Sequence, residues 1–273
     1  MNTYKKHRNH ISLLMYYRGV RTAKVYGVCL LILLVLPMLS IGMKEYDYFL
    51  SGYYNEFILQ PLCFFTYPVI FLSWFLYTIY DLRKQHGKYN VHDREWILPC
   101  SHWDVIISNI LFTMATLLGI MILQTMVYYL GNQLYNWKVG GEILHNGFFL
   151  SVTRSFYTSF FIALSPKAFL VMLLHVATLS VLSTFFGKWQ IRKHKLLTTL
   201  IILFCLQFVV YIGLVGITLF SPMDYRIPMS EPVMNLLNGF AFYIITEKYI
   251  VFEIILLILI AICMRKSMRK NTW

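Results

Sequence analysis

Apolar residues along this chain do not alternate with polar ones; they come in long, nearly uncharged runs. Six stand out, at about 25–43, 57–80, 105–130, 168–187, 196–220 and 247–264. A helix of ~20 residues crosses the ~30 Å hydrocarbon core of a bilayer. Backbone groups inside that core must be satisfied within the protein, which leaves helices or a closed barrel. Barrel strands need a period of two, and it is absent. The pattern therefore predicts an all-α, polytopic membrane protein with six transmembrane helices. In the first run, "VYGVCLLILLVLPMLSIGM", Pro37 is expected to kink the helix towards its outer third.

The segments between the runs predict further elements. Residues 1–24 are too polar to span, but Ile11, Leu14, Met15 and Arg18 follow i, i+3, i+4, i+7 spacing with Lys and Arg on the other faces. That describes an amphipathic helix lying in the inner membrane interface. The apolar run after it is too long for a signal peptide and lacks a small-residue cleavage site. Within the long stretch 131–167, "FYTSFFIALSP" is too short to span and Arg154 interrupts it, so 148–165 reads as interfacial or re-entrant. From Val233 to Met264 the chain is apolar for longer than one ordinary span needs. Glu231 and Pro232 favour a helix start, and Asn238-Gly239 is a break signal. We expect a re-entrant helical hairpin over 232–246, turning at Gly239, before the sixth span. No repeat or linker divides the chain, which reads as a single transmembrane domain.

Composition agrees and charge adds direction. Of the 273 residues 58% are hydrophobic and 13% charged, against roughly 25% charged in soluble domains. Six spans place both termini on one side. Of the 24 Lys and Arg residues, 18 lie before the first span, in 81–104, in 188–195 or after the sixth; only four of the 12 acids share that side. By the positive-inside rule the termini and the 81–104 loop are cytoplasmic, in a cell (plasma) membrane. The net charge of +12 is explained by topology and contact with anionic lipids, without nucleic acid. The five cysteines, Cys29, Cys63, Cys100, Cys205 and Cys263, show no C-x-x-C spacing, and read as small buried hydrophobes.

Catalytic patterns are missing. The chain has no H-E-x-x-H, no G-x-S-x-G and no G-x-x-x-x-G-K-[ST], so we assign no catalytic, cofactor-binding or metal-binding residue. His175, deep in the fourth run, reads as a hydrogen-bonded interior residue rather than a ligand. Glu253 is the one acid well inside a run. A charge at a helix centre costs at least ~2.5–3.5 kcal/mol, so Glu253 either lines a pathway or seam, or pairs with a neighbour near the outer interface.

One stretch does not fit a plain loop. "DREWILPCSHWDVIISNIL", from Asp93, joins the second and third runs with charges, two tryptophans and a proline. Pro99 stops any helix running through from Asp93. Ser101 can cap the helix that follows, with Asp104 at its third position as the acid that reaches back. Trp96 and Trp103, with Arg94 nearby, are residue types that anchor protein interfaces, or that sit in the aromatic belt of a membrane. The stretch resembles the cytoplasmic segment of type-two ABC exporter permeases: an acidic or basic turn, "LP-[small]-S", a polar residue, then the start of the third span with a Lys or Asn. Here those elements are Glu95, Leu98, Pro99, Cys100, Ser101, His102 and Asn109; the family more often has a basic residue where His102 stands. The outline of interfacial helix, six spans and outer hairpin is similar as well.

That resemblance implies a function. The 84–104 segment would be a coupling element docked on a separate ATPase, with Arg94, Glu95, Trp96, Leu98, Pro99, Ser101, His102, Trp103 and Asp104 at the contact. The chain would be the permease subunit of an ABC transporter, working with two ATPase subunits and a second permease, identical or homologous. It would itself bind no cofactor and have no enzyme activity, ATP and magnesium residing in the partner. A 17% aromatic content favours a lipid or an amphipathic peptide, moved outward. A secondary transporter would carry several polar residues at midspan, and an intramembrane enzyme would need the missing catalytic patterns.

Overall fold

A computed structural model describes residues 2–42, 61–84, 101–139, 166–188 and 247–269. All of these except Ser101 are helical: α1 (Asn2–Gly42), α2 (Pro61–Lys84), α3 (His102–Val139), α4 (Pro166–Lys188) and α5 (Glu247–Arg269). The expected fifth span, the 148–165 segment, the hairpin with Gly239, and Arg94, Glu95, Trp96, Leu98 and Pro99 lie outside the described residues. The chain divides into two compact units, Met1–Phe169 and Leu170–Trp273, although no linker marks the division in the sequence.

The expected interfacial helix over 1–24 and the first expected span fall within a single element, with no helix end near Lys24. Asn2–Gly42 is one helix of 41 residues that runs on through Pro37, roughly 60 Å long at 1.5 Å per residue. The reason lies in its packed face. Leu14, Arg18, Thr22, Leu33, Pro37 and Ser40 are all buried, and their spacing keeps one stripe against the bundle along both the basic and the apolar halves. The opposite side exposes Val28, Leu31, Val35 and Leu39. A water-exposed apolar face of that length is unusual in a soluble monomer.

In the first unit α1 packs against both α2 and α3. Direction follows from the contacts. Arg18 meets Asn109 and Tyr26 meets Thr116, so α1 and α3 run parallel. Arg21 meets Asp81 while Tyr26 lies against Trp74, so α2 runs antiparallel to both. Among the described residues two helical stretches are long and apolar enough to cross a membrane, His10–Ser40 and Trp103–Trp137, whose most apolar 18-residue windows have mean hydropathies of 2.1 and 2.2. Shorter apolar helical stretches cover Met172–Gly187 and Glu253–Ile262.

Three residues lock the middle of this unit. Trp74 is fully buried and donates its indole N–H to Thr116 Oγ1 at 2.9 Å. The Tyr26 hydroxyl donates to the Thr116 carbonyl at 2.9 Å, and the Tyr26 and Trp74 ring centroids are 4.7 Å apart. Gly119 allows this closeness, because a Cβ there would collide with the Tyr26 hydroxyl.

Candidate functional site

The start of α3 is built by its first residues. The Ser101 hydroxyl accepts from the Asp104 N–H at 3.2 Å, and the Ser101 N–H donates to Asp104 Oδ2 at 3.2 Å. The Ser101 N–H, which lies outside the helix ladder, is satisfied by the carboxylate, and the Asp104 N–H is shared between the Ser101 hydroxyl and the Ser101 carbonyl, the latter at 3.0 Å. The Asp104 carboxylate also lies where the helix dipole favours a negative charge. His10 Nδ1 of α1 stands 4.0 Å from the same Asp104 Oδ2. Trp103, two residues after the capping Ser101, is 48% exposed. Helix α3 therefore has a fixed first turn, with a large aromatic presented outward from it.

A charged cluster lies about one turn further along α3. Arg18 of α1 is 1% exposed. Its Nη1 donates to Asn109 Oδ1 at 2.8 Å, its guanidinium lies 4.8 Å from the centre of the Phe112 ring, and its Nε is 3.8 Å from Asp81 Oδ2. Arg21 Nη2 donates to that same oxygen at 2.5 Å. One carboxylate from α2 is thus shared by two arginines from α1, and one of these also holds α3. Isolated buried charge is costly, so such groups persist only when paired and hydrogen-bonded. A guanidinium suits the task because its planar fork of donors can engage several partners at once.

The second unit contains a different pair. His175 Nδ1 of α4 and Glu253 Oε2 of α5 are 2.8 Å apart, and Glu253 is 0% exposed. Its other oxygen, Oε1, has no hydrogen-bond partner. C-terminal to His175, α4 carries Thr178, Ser180, Ser183 and Thr184, all buried and each bonded to a carbonyl of its own helix. Small hydroxyl side chains of this kind allow close approach of neighbouring helices in lipid.

Of the residues singled out in the sequence, Ser101 and Asp104 form the reciprocal cap that their spacing predicts, and Trp103 is exposed beside it. His102 opens α3. Asn109, noted only as part of a family pattern, proves to be the anchor of Arg18. His175 and Glu253, read separately, are partners. Arg18 and Asp81 were missed as a pair. Two signals were present: Arg18 occupies an apolar-stripe position of its helix, and Asp81 is an acid closing an apolar run just before Arg83 and Lys84. Neither signal says which groups meet. Among the described residues no three His, Cys, Asp or Glu side chains converge as a metal site would need. Compared with protein-family models, curated proteins and solved structures, the chain matches none.

Proposed function

We propose that this chain is the membrane-spanning permease subunit of an ABC transporter. It would cross the membrane six times with both termini cytoplasmic, and move a lipid or an amphipathic peptide outward with ATP hydrolysed by a separate subunit. The observation that carries the reading is the capped start of α3. A helix whose first turn is fixed by Ser101 and Asp104, directly after "LPC", moves with whatever moves that segment. Exposed Trp103 is the kind of residue a protein partner buries. The alternating directions of α1, α2 and α3 suit three successive spans joined by loops on alternate sides. The apolar outward face of α1 suits lipid. The concentration of basic residues before the first run, in 81–104, in 188–195 and after the sixth run supports a cytoplasmic place for those segments.

The test is substitution of Glu95 and Trp103 together by Ala. Each truncation at a protein interface costs ~2 kcal/mol or more at a hot spot, so ATPase binding should weaken by roughly tenfold to a thousandfold. Membrane insertion should be unchanged, since Trp103 is the first residue of the apolar stretch of α3 and Glu95 precedes it. Co-purification of the ATPase at undiminished yield, with ATP-driven transport intact, rejects this reading. The buried His175–Glu253 pair favours a second one, a secondary transporter with an ionisable group inside the membrane. Transport driven by an ion gradient without any ATPase distinguishes it.

A further inference from the structure

We infer that Asn109, Arg18, Asp81 and Arg21 form a joint that makes the inner ends of α1, α2 and α3 move as one body, with Arg18 as its positioning residue. The use of that joint in coupling rests on the permease reading; the joint itself does not.

Arg18 reaches all three helices at one level. It is bonded to Asn109 of α3 at 2.8 Å, lies over Phe112 of α3, and faces Asp81 of α2 across 3.8 Å from its own place on α1. Arg21 holds Asp81 to α1 a second time. Sliding α3 by one turn, about 5.4 Å, would pull Asn109 from a guanidinium with little access to water. Separating α2 would leave Asp81 and two arginines without their opposite charges. Both events are costly in an apolar surrounding, whereas the same bonds at an exposed surface would exchange freely with water. The cap at Ser101 and the His10–Asp104 approach tie the first turn of α3 into the same assembly. A displacement applied at Trp103 would therefore reach α1 and α2 through side chains, without waiting for the rest of α3 to respond.

The test measures distances by electron–electron dipolar spectroscopy between nitroxides at Val20, Tyr80 and Ile107, three exposed positions near this level. The five native cysteines are first replaced by Ala. In the unsubstituted joint all three distributions should be narrow. Asn109→Leu should abolish the narrow Val20–Ile107 distribution and leave Val20–Tyr80 narrow, because Arg18, Arg21 and Asp81 still hold α1 to α2. Asp81→Asn should broaden Val20–Tyr80, whereas Asp81→Glu, which keeps the negative charge between Arg18 and Arg21, should broaden it less. Narrow distributions in both Asn109→Leu and Asp81→Asn would overturn the joint. So would equal broadening between Leu39 and Leu130 at the opposite ends of α1 and α3, which would report loss of the fold instead. In coupling, Asn109→Leu should still co-purify with the ATPase and lose ATP-driven transport. An unsubstituted chain that captures no ATPase would refute the permease reading and the coupling role, while the distances would still report on the joint.

Discussion

Glu253 illustrates how a single residue's meaning depends on its neighbour. Alone in an apolar run, a carboxylate suggests a pathway or a snorkelling side chain; with His175 at 2.8 Å and no exposure it is half of a buried pair. Breaking such a pair costs more than removing it, because one polar partner is left behind, typically by 3–5 kcal/mol. His175→Leu should therefore lower the thermal unfolding temperature in detergent well below that of the unsubstituted chain. The double replacement, His175→Leu with Glu253→Leu, should recover most of the loss. A double variant no more stable than the single one would mean that Glu253 is held by other groups. Position alone could not reveal this pairing, since the two residues are 78 apart in sequence.

At the scale of elements, the start of α3 was legible and the unbroken length of α1 was not. Ser101 and Asp104 are three residues apart, so their mutual cap is a local property that spacing alone predicts. Ser101→Ala should remove about 1 kcal/mol of helix stability, within the ~0.5–2 kcal/mol range for such caps. The effect should be read as faster amide hydrogen exchange confined to the first turn of α3, with α4 and α5 unaffected. Unchanged exchange at Asp104 and Val105 would show that the turn is held by something else. The expected boundary between an interfacial segment and a span near Lys24 rested on polarity, which changes there within one continuous helix. Helix continuity depends instead on the stripe from Leu14 to Ser40, whose partners lie on α2 and α3.

For the whole molecule, the arrangement of charges makes the sharpest prediction. Single cysteines replacing Asn90 and His194, in a chain otherwise free of cysteine, should be labelled only from the cytoplasm. A cysteine replacing Gly140 should be labelled only from outside, by an impermeant maleimide. Labelling at 194 from outside would mean that residues 148–165 cross the membrane, which would reverse every later loop. The described helices supply three successive directions, α1 and α3 parallel and α2 opposed, through contacts between residues 18, 26, 74, 81, 109 and 116.

The sequence by itself determined the helical class, the apolar character of α1 and α3, and the cap at Ser101. These depend on composition, on run length and on neighbours within one turn. Tertiary structure alone decided that Arg18 is buried, that Asp81 is shared between two arginines, that Tyr26 closes over Gly119, and that His175 and Glu253 are partners. Each of those brings together side chains from different helices, and their cost or benefit exists only once water has been excluded from both. Hydrophobic patterning records which side of a helix is buried but carries no label for the helix it is buried against. A charge on a packed stripe is therefore visible in the sequence as a misfit, and becomes intelligible only when its counter-charge arrives from elsewhere in the fold.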